Sequence, residues 1–161
     1  MLYLAAIVTV MLTVALQHAW PPWLQVAGTT PHLGIAVVIA FGLMRGPQIG
    51  VLTGFVAAFL SASTGDLPMG NLFLSHMLAG FGAGMLRGGF FSTRVSVAVL
   101  VAVVASVVAS LVELLLAPPM RPRPWVYPMV VRALYTGLLC IPLFALIRWL
   151  TRRLSGHEDE Y

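Results

Sequence analysis

The sequence predicts an all-α membrane protein, a single bundle of about six transmembrane helices with both termini in the cytoplasm. Three observations predict it. The chain of 161 residues is 60% hydrophobic and only 9% charged, with a mean hydropathy of +0.96, outside the range of water-soluble domains. Its apolar residues fall into runs near the roughly 20 residues that a helix needs to cross the hydrocarbon core of a bilayer. Small residues recur at every fourth position, first Gly46, Gly50, Gly54 and Ala58, then Gly80, Gly84 and Gly88. In water such glycines weaken a helix, but in lipid a row of them lets another helix approach backbone to backbone. No soluble domain fits between the runs. Residues 1–161 therefore read as one polytopic domain, with 151–161 as a short cytoplasmic tail.

Residues 3 to 19 form the first span, which lacks a basic leader and a small-x-small cleavage site and is expected to stay attached. His18 and Trp20-Pro21-Pro22-Trp23 follow, placing aromatics at the interface and ending the helix with prolines that cannot continue it. Thr30-Pro31-His32 opens a second segment, short for a span, that runs to about Met44. Arg45-Gly46-Pro47 breaks it, and Pro47 suits the first turn of a third helix, so segments two and three make a tight hairpin. The third runs to about Thr64. Beyond the turn Gly65-Asp66-Leu67-Pro68 a fourth span ends at Arg87, and a fifth runs from about Arg94 to Ala117. The sixth extends from about Met129 to Leu150, where Pro142 is expected to kink it.

Charge sets the orientation. The formal charge of +4 comes from arginine, since the sequence contains no lysine. One side receives Arg45, Arg87, Arg94, Arg148, Arg152 and Arg153, while the other receives Arg121 and Arg123, with Arg132 just inside the sixth span. The richer side is expected to be cytoplasmic, in the inner membrane, with Arg148, Arg152 and Arg153 against anionic lipid. Arginines at span ends speak for topology and lipid rather than nucleic acid. The single cysteine, Cys140, lies in an apolar run, so neither a disulfide framework nor a metal cluster is expected, and no cofactor is implied.

Few residues offer chemistry. Ser63-Thr64-Gly65-Asp66 superficially resembles the Gly-x-Gly-Asp signature of intramembrane aspartyl proteases, but that reaction needs two carboxylates sharing a proton, and no span holds a second aspartate. Asp66 reads instead as the cap of the fourth helix. Ser61, Ser63 and His76 lack any orienting motif for nucleophilic catalysis, and small hydroxyls in membrane helices usually bond their own backbone. His76 reads as a hydrogen-bonded structural histidine in the outer half of the bundle. Glu113 and Arg132 lie at comparable depth in the antiparallel fifth and sixth spans, and ionisable groups in membranes usually pair, so they are expected to form a structural ion pair. The fifth span adds a further small row, Ala98, Ala102, Ser106 and Ser110. Three rows are hard to exhaust inside one small bundle. Gly46, Gly50, Gly54, Gly80, Gly84, Gly88, Ala98, Ala102 and Ser106 are therefore expected to pack against a partner helix.

Taken in order, Thr30-Pro31-His32, Arg45-Gly46-Pro47-Gln48-Ile49-Gly50, Gly54-Phe55, Asp66 to Gly70, Leu78-Ala79-Gly80-Phe81-Gly82-Ala83-Gly84, Tyr135-Thr136-Gly137 and Pro142-Leu143-Phe144 resemble the rod shape-determining MreD family over about residues 30 to 150. One departure is Ala62, which stands where family members often carry an acid late in the third span. The resemblance implies a non-enzymatic membrane subunit of the bacterial elongation machinery. Such a subunit binds the single-span protein MreC and through it connects to MreB filaments, RodA and the RodA transpeptidase partner in peptidoglycan synthesis. The bundle is also similar in organisation to the substrate-binding components of energy-coupling-factor vitamin transporters. That alternative implies a solute site under the outer loops, with Trp20, Trp23, Asp66, Arg121, Trp125 and Tyr127 closing over a small ligand.

Overall fold

The computed structural model describes residues 2–26, 28–64, 69–88, 94–116 and 125–155. Among them are six α-helices: α1 (Leu2–His18), α2 (Leu33–Arg45), α3 (Pro47–Thr64), α4 (Met69–Met85), α5 (Val95–Leu116) and α6 (Val126–Ser155). Two 3-10 turns, Pro22–Leu24 and Leu86–Gly88, complete the regular structure, apart from an isolated bridge between Val26 and Thr29. Three helices are long and apolar enough to cross a membrane, with Pro47–Thr64, Val95–Leu116 and Val126–Leu150 as the qualifying stretches. These make the chain a helical membrane protein in character.

α2 is the axis of the molecule. Every residue from Leu33 to Leu43 is buried, which is what a helix apolar on all sides requires. At 13 residues it is only about 20 Å long, too short to span a bilayer, but the other five helices surround it and it meets protein instead of lipid. Phe41, Ile35, Ile39, Leu43, Val37 and Val38 fill the centre together with Phe144 and Ile147 of α6 and Val10 of α1. Apolar side chains excluded from the centre cover the outside. Leu4, Leu12, Leu100, Leu115, Leu134 and Leu138 are each at least 60% exposed, a surface stable in lipid and not in water.

α2 starts later than the sequence suggests, at Leu33, and runs into Gly46, whose φ of 95° only glycine adopts without strain. Its Cα is the whole connection, because Pro47 already opens α3. Arg87 Nη1 donates to the Arg45 carbonyl at 2.8 Å and so satisfies one of the acceptors that the end of α2 leaves open. α6 is longer than the sequence suggests at both ends, and it runs on through Pro142. Asp66, expected to cap α4, lies outside the described residues, as do Arg121 and Arg123 of the outer loop.

The glycine rows require a correction. They were expected to face a partner helix, and they face one another. A Cβ at Gly50 would strike the carbonyl oxygen of Gly80 and come within 2.8 Å of its carbonyl carbon, and one at Gly80 would come within 2.9 Å of Val38 Cγ1. At Gly54 it would sit 2.6 Å from the His76 carbonyl oxygen, and at Gly84 it would strike the backbone of Pro47 and Gly46. α3 and α4 thus lie backbone against backbone, and Gly42 of α2 closes the same seam, where a Cβ would come within 2.8 Å of the Gly80 carbonyl oxygen. The reason is connectivity: the two rows belong to consecutive antiparallel helices, which meet without any cost of finding each other. Ala98, Ala102 and Ser106 are likewise consumed inside the chain, fully buried, with the Cys140 thiol of α6 donating to the Ala98 carbonyl at 3.7 Å. Gly88 ends the 3-10 turn after α4.

Candidate functional site

α2 begins inside the bundle, so its first backbone N–H groups cannot reach bulk water. Two are met by side chains from other helices: His32 N donates to Thr136 Oγ1 of α6 at 2.9 Å, and Gly34 N donates to Gln17 Oε1 of α1 at 3.0 Å. Thr136 in turn donates to the Arg132 carbonyl at 2.8 Å. Polar side chains are therefore drawn to one level of an otherwise apolar core, and they enclose a chamber of about 100 Å³. Gln17, His18, His32, Ser61, Leu72, His76 and Glu113 line it, a set contributed by four helices and the segment before α2. Such a volume has room for a few waters or one small polar group.

The contacts of His76 and His32 indicate which of their ring nitrogens donate and which accept. His76 Nδ1 lies 2.9 Å from the Leu72 carbonyl, an acceptor, so this nitrogen carries the proton and Nε2 is left as an acceptor. Arg132 Nη1 lies 3.4 Å from His32 Nε2 and 3.5 Å from Glu113 Oε2. A guanidinium only donates, so the facing nitrogen of His32 accepts. Both distances exceed the 2.7–2.9 Å typical of charge-assisted bonds, and the guanidinium is shared between two partners without saturating either. His18 Nε2 and Thr64 Oγ1 meet at 2.6 Å across the mouth. Glu113 and Arg132, expected from sequence to lie level, are thus in contact.

Glu113 also lines a second cavity of about 250 Å³, together with Ser110, Leu114, Trp125, Pro128, Met129 and Arg132. Glu113 is the residue the two cavities share. Among the described residues, Ser110 Oγ and Arg132 Nε are buried without a hydrogen-bond partner. Of the loop aromatics, Trp20 packs edge-on against Tyr135 at 6.2 Å, and the Tyr135 hydroxyl donates to the Leu24 carbonyl at 2.8 Å, pinning the first loop to α6. Trp23 is 80% exposed, and Trp125 and Tyr127 are exposed at the start of α6. Ser63 donates to the Leu60 carbonyl at 2.7 Å and Ser75 to the Leu72 carbonyl at 3.2 Å, and Ser75 Oγ also lies 3.3 Å from His76 Nδ1.

A different kind of site runs along the outside. α4 and α5 touch much less than α3 with α4 or α5 with α6, and between them lies an apolar groove of about 420 Å³. Ser75, Ala79, Gly82, Ala83 and Ala105 give it small residues, and Leu78, Leu86, Leu100, Val104 and Val108 its bulk. A Cβ at Gly82 would meet nothing within 4 Å. Gly82, like Gly70 at the start of α4, opens outward, and it stands between two glycines, Gly80 and Gly84, that do not. No protein-family model, curated protein or solved structure matches the chain.

Proposed function

We propose that this protein is a non-enzymatic, multi-pass subunit of the inner membrane, similar in role to MreD, that seats the transmembrane helix of a single-span, MreC-like partner. All six helices and both cytoplasmic termini belong to this reading, as does connection through the partner to MreB filaments and to RodA with its transpeptidase. The observation that supports it is the α4–α5 groove. Small residues let a helix backbone approach closely, and association in lipid depends on that approach because the hydrophobic effect no longer favours it. The internal rows are used up by the fold, which leaves Gly82, Ala79 and Ala105 as small residues toward the groove. Arg148, Arg152 and Arg153 near the end of α6 would hold anionic lipid on the cytoplasmic side.

Gly82→Leu tests it. A Cβ there meets nothing within 4 Å, so the protein should insert, accumulate and melt normally, while co-purification with an MreC-like partner is lost and rod-shaped cells round up. Retention of the partner by a folded Gly82→Leu protein would remove the groove from the interface. The second reading, a solute-binding subunit of a vitamin-type transporter, is favoured by the polar chamber at the start of α2. It predicts a small molecule that co-purifies with wild type and is lost on Gln17→Leu, with no shape defect in any variant.

A further inference from the structure

The cavity between the outer ends of α5 and α6 combines features that no packing role uses. Its polar members are one cation, one anion and one hydroxyl, Arg132, Glu113 and Ser110, and its remaining wall is apolar. The cation and the anion are poorly matched to each other: Nη1 and Oε2 stand 3.5 Å apart, and Arg132 Nε and Ser110 Oγ have no partner among the described residues. Both of those atoms are buried, so the cavity presents the outer Nη groups of Arg132 and the Glu113 carboxylate to a group that enters it. The pair is not sealed, since the Arg132 side chain is 30% exposed and that of Glu113 16%. Glu113 is three residues before the end of α5 and Arg132 six after the start of α6, depths of about 5 and 9 Å. Exposed Trp125 immediately precedes α6, at the level where aromatic belts meet lipid headgroups.

We propose that this cavity binds a phosphoethanolamine-type zwitterion, with its phosphate on the Arg132 guanidinium and the Ser110 hydroxyl and its primary ammonium on the Glu113 carboxylate. The charges decide the class. The two side chains sum to zero, so a net-anionic headgroup meets an attraction and an equal repulsion within the same few ångströms. A zwitterion replaces one long ion pair with two shorter ones. A quaternary ammonium lacks the N–H that the carboxylate needs. Leu114, Pro128 and Met129 on the rest of the wall suit the glycerol and first methylenes of a lipid that carries this headgroup. The inference is independent of the partner-helix reading, which concerns the opposite flank of α5.

Native mass spectrometry of the full chain in detergent tests it, with equimolar dioleoyl phosphatidylethanolamine, phosphatidylglycerol and phosphatidylcholine. Wild type should retain the ethanolamine lipid about tenfold over either competitor, the discrimination expected from one hydrogen bond to a charged group. Glu113→Gln should abolish that preference while leaving glycerol-lipid binding, and Ser110→Ala should weaken all three lipids by a similar factor. Displacement of the lipid by free O-phosphoethanolamine would show that the headgroup alone suffices. Preference for the lipid without such displacement would show that its chains are also required, and either result supports the site. Equal retention of the three lipids by wild type overturns it without reference to any variant, and an ethanolamine preference unchanged in Glu113→Gln overturns it as well.

Discussion

Alanine scanning across Gly80, Gly82 and Gly84 sets three neighbouring positions of one helix against one another. A Cβ at Gly80 would fall 2.5 Å from the carbonyl carbon of Gly50, and at Gly84 it would strike the backbone of Pro47, whereas at Gly82 it meets open space. Relief at the first two positions must come from backbone, since no flexible side chain can swing away, so α3 and α4 have to separate by about 1 Å. Overpacking of this kind costs about 1–3 kcal/mol, and a backbone obstacle argues for the upper end. Against it, alanine gains about 1 kcal/mol over glycine in helix propensity. Gly80→Ala and Gly84→Ala should therefore lose about 2 kcal/mol each, and Gly82→Ala should gain up to about 1. The swing of about 3 kcal/mol corresponds to about 6–12 °C in melting temperature for a chain of this size. Thermal unfolding in detergent, followed by fluorescence-detected size exclusion, reads this directly. Three alanine variants melting within about 2 °C of each other would mean that α3 and α4 do not meet through these glycines.

Two further outcomes follow from contacts already described. Breaking the Glu113–Arg132 pair with either Glu113→Gln or Arg132→Gln should cost about 1–3 kcal/mol, less than for a fully buried pair because both side chains keep some exposure, while the double variant should cost less; additive losses in a melting series would separate the two residues. Cys140 is fully buried, so wild type should resist an impermeant maleimide until it is unfolded, and in a Cys140→Ala background Gly28→Cys should label from outside intact cells and Ser155→Cys only after permeabilisation. Labelling in the reverse pattern would invert the orientation.

The helical class was legible because it depends on composition and run length, which no tertiary contact can alter. The small-residue rows were legible as surfaces of close approach, but not their partners: Gly50 and Gly80 advertise the same close contact whether the opposing backbone is thirty residues away or in another molecule. Ion-pair depth could be counted along two antiparallel helices, which is why Glu113 and Arg132 were found. The chamber could not be counted. Its residues come from Gln17 to Glu113, and only the packing of every helix around α2 brings His32, His76 and Gln17 to one level. The available signal was α2 itself, an apolar segment too short to span, whose buried N-terminus obliges other helices to supply acceptors. Gly82 was obscured by its neighbours, since periodicity of four highlights Gly80 and Gly84 and passes over the glycine between them.

The same central helix bears on which of the two functional readings the architecture favours. From Leu33 to Leu43 every residue of α2 is apolar or glycine and buried, so about 15 Å of dry, close-packed protein separates the polar chamber from the arginine end of the bundle. A polar solute held at the chamber would need α2 to withdraw before it could cross, because desolvating even one unpaired hydrogen-bonding group costs several kcal/mol. Gly42 resists that withdrawal, having carbonyl and amide backbone of Gly80 and Gly84 within about 3 Å of where a Cβ would stand, and Gly46 leaves no slack between α2 and α3. Such a core suits a part that stays rigid while others assemble on it. The α4–α5 flank is the complementary case, with fewer contacts, small residues toward the lipid and no backbone seam to disturb. A helix seated there gains dispersion contact without unlocking anything inside, which is the physical reason for preferring a receiving subunit to a conduit.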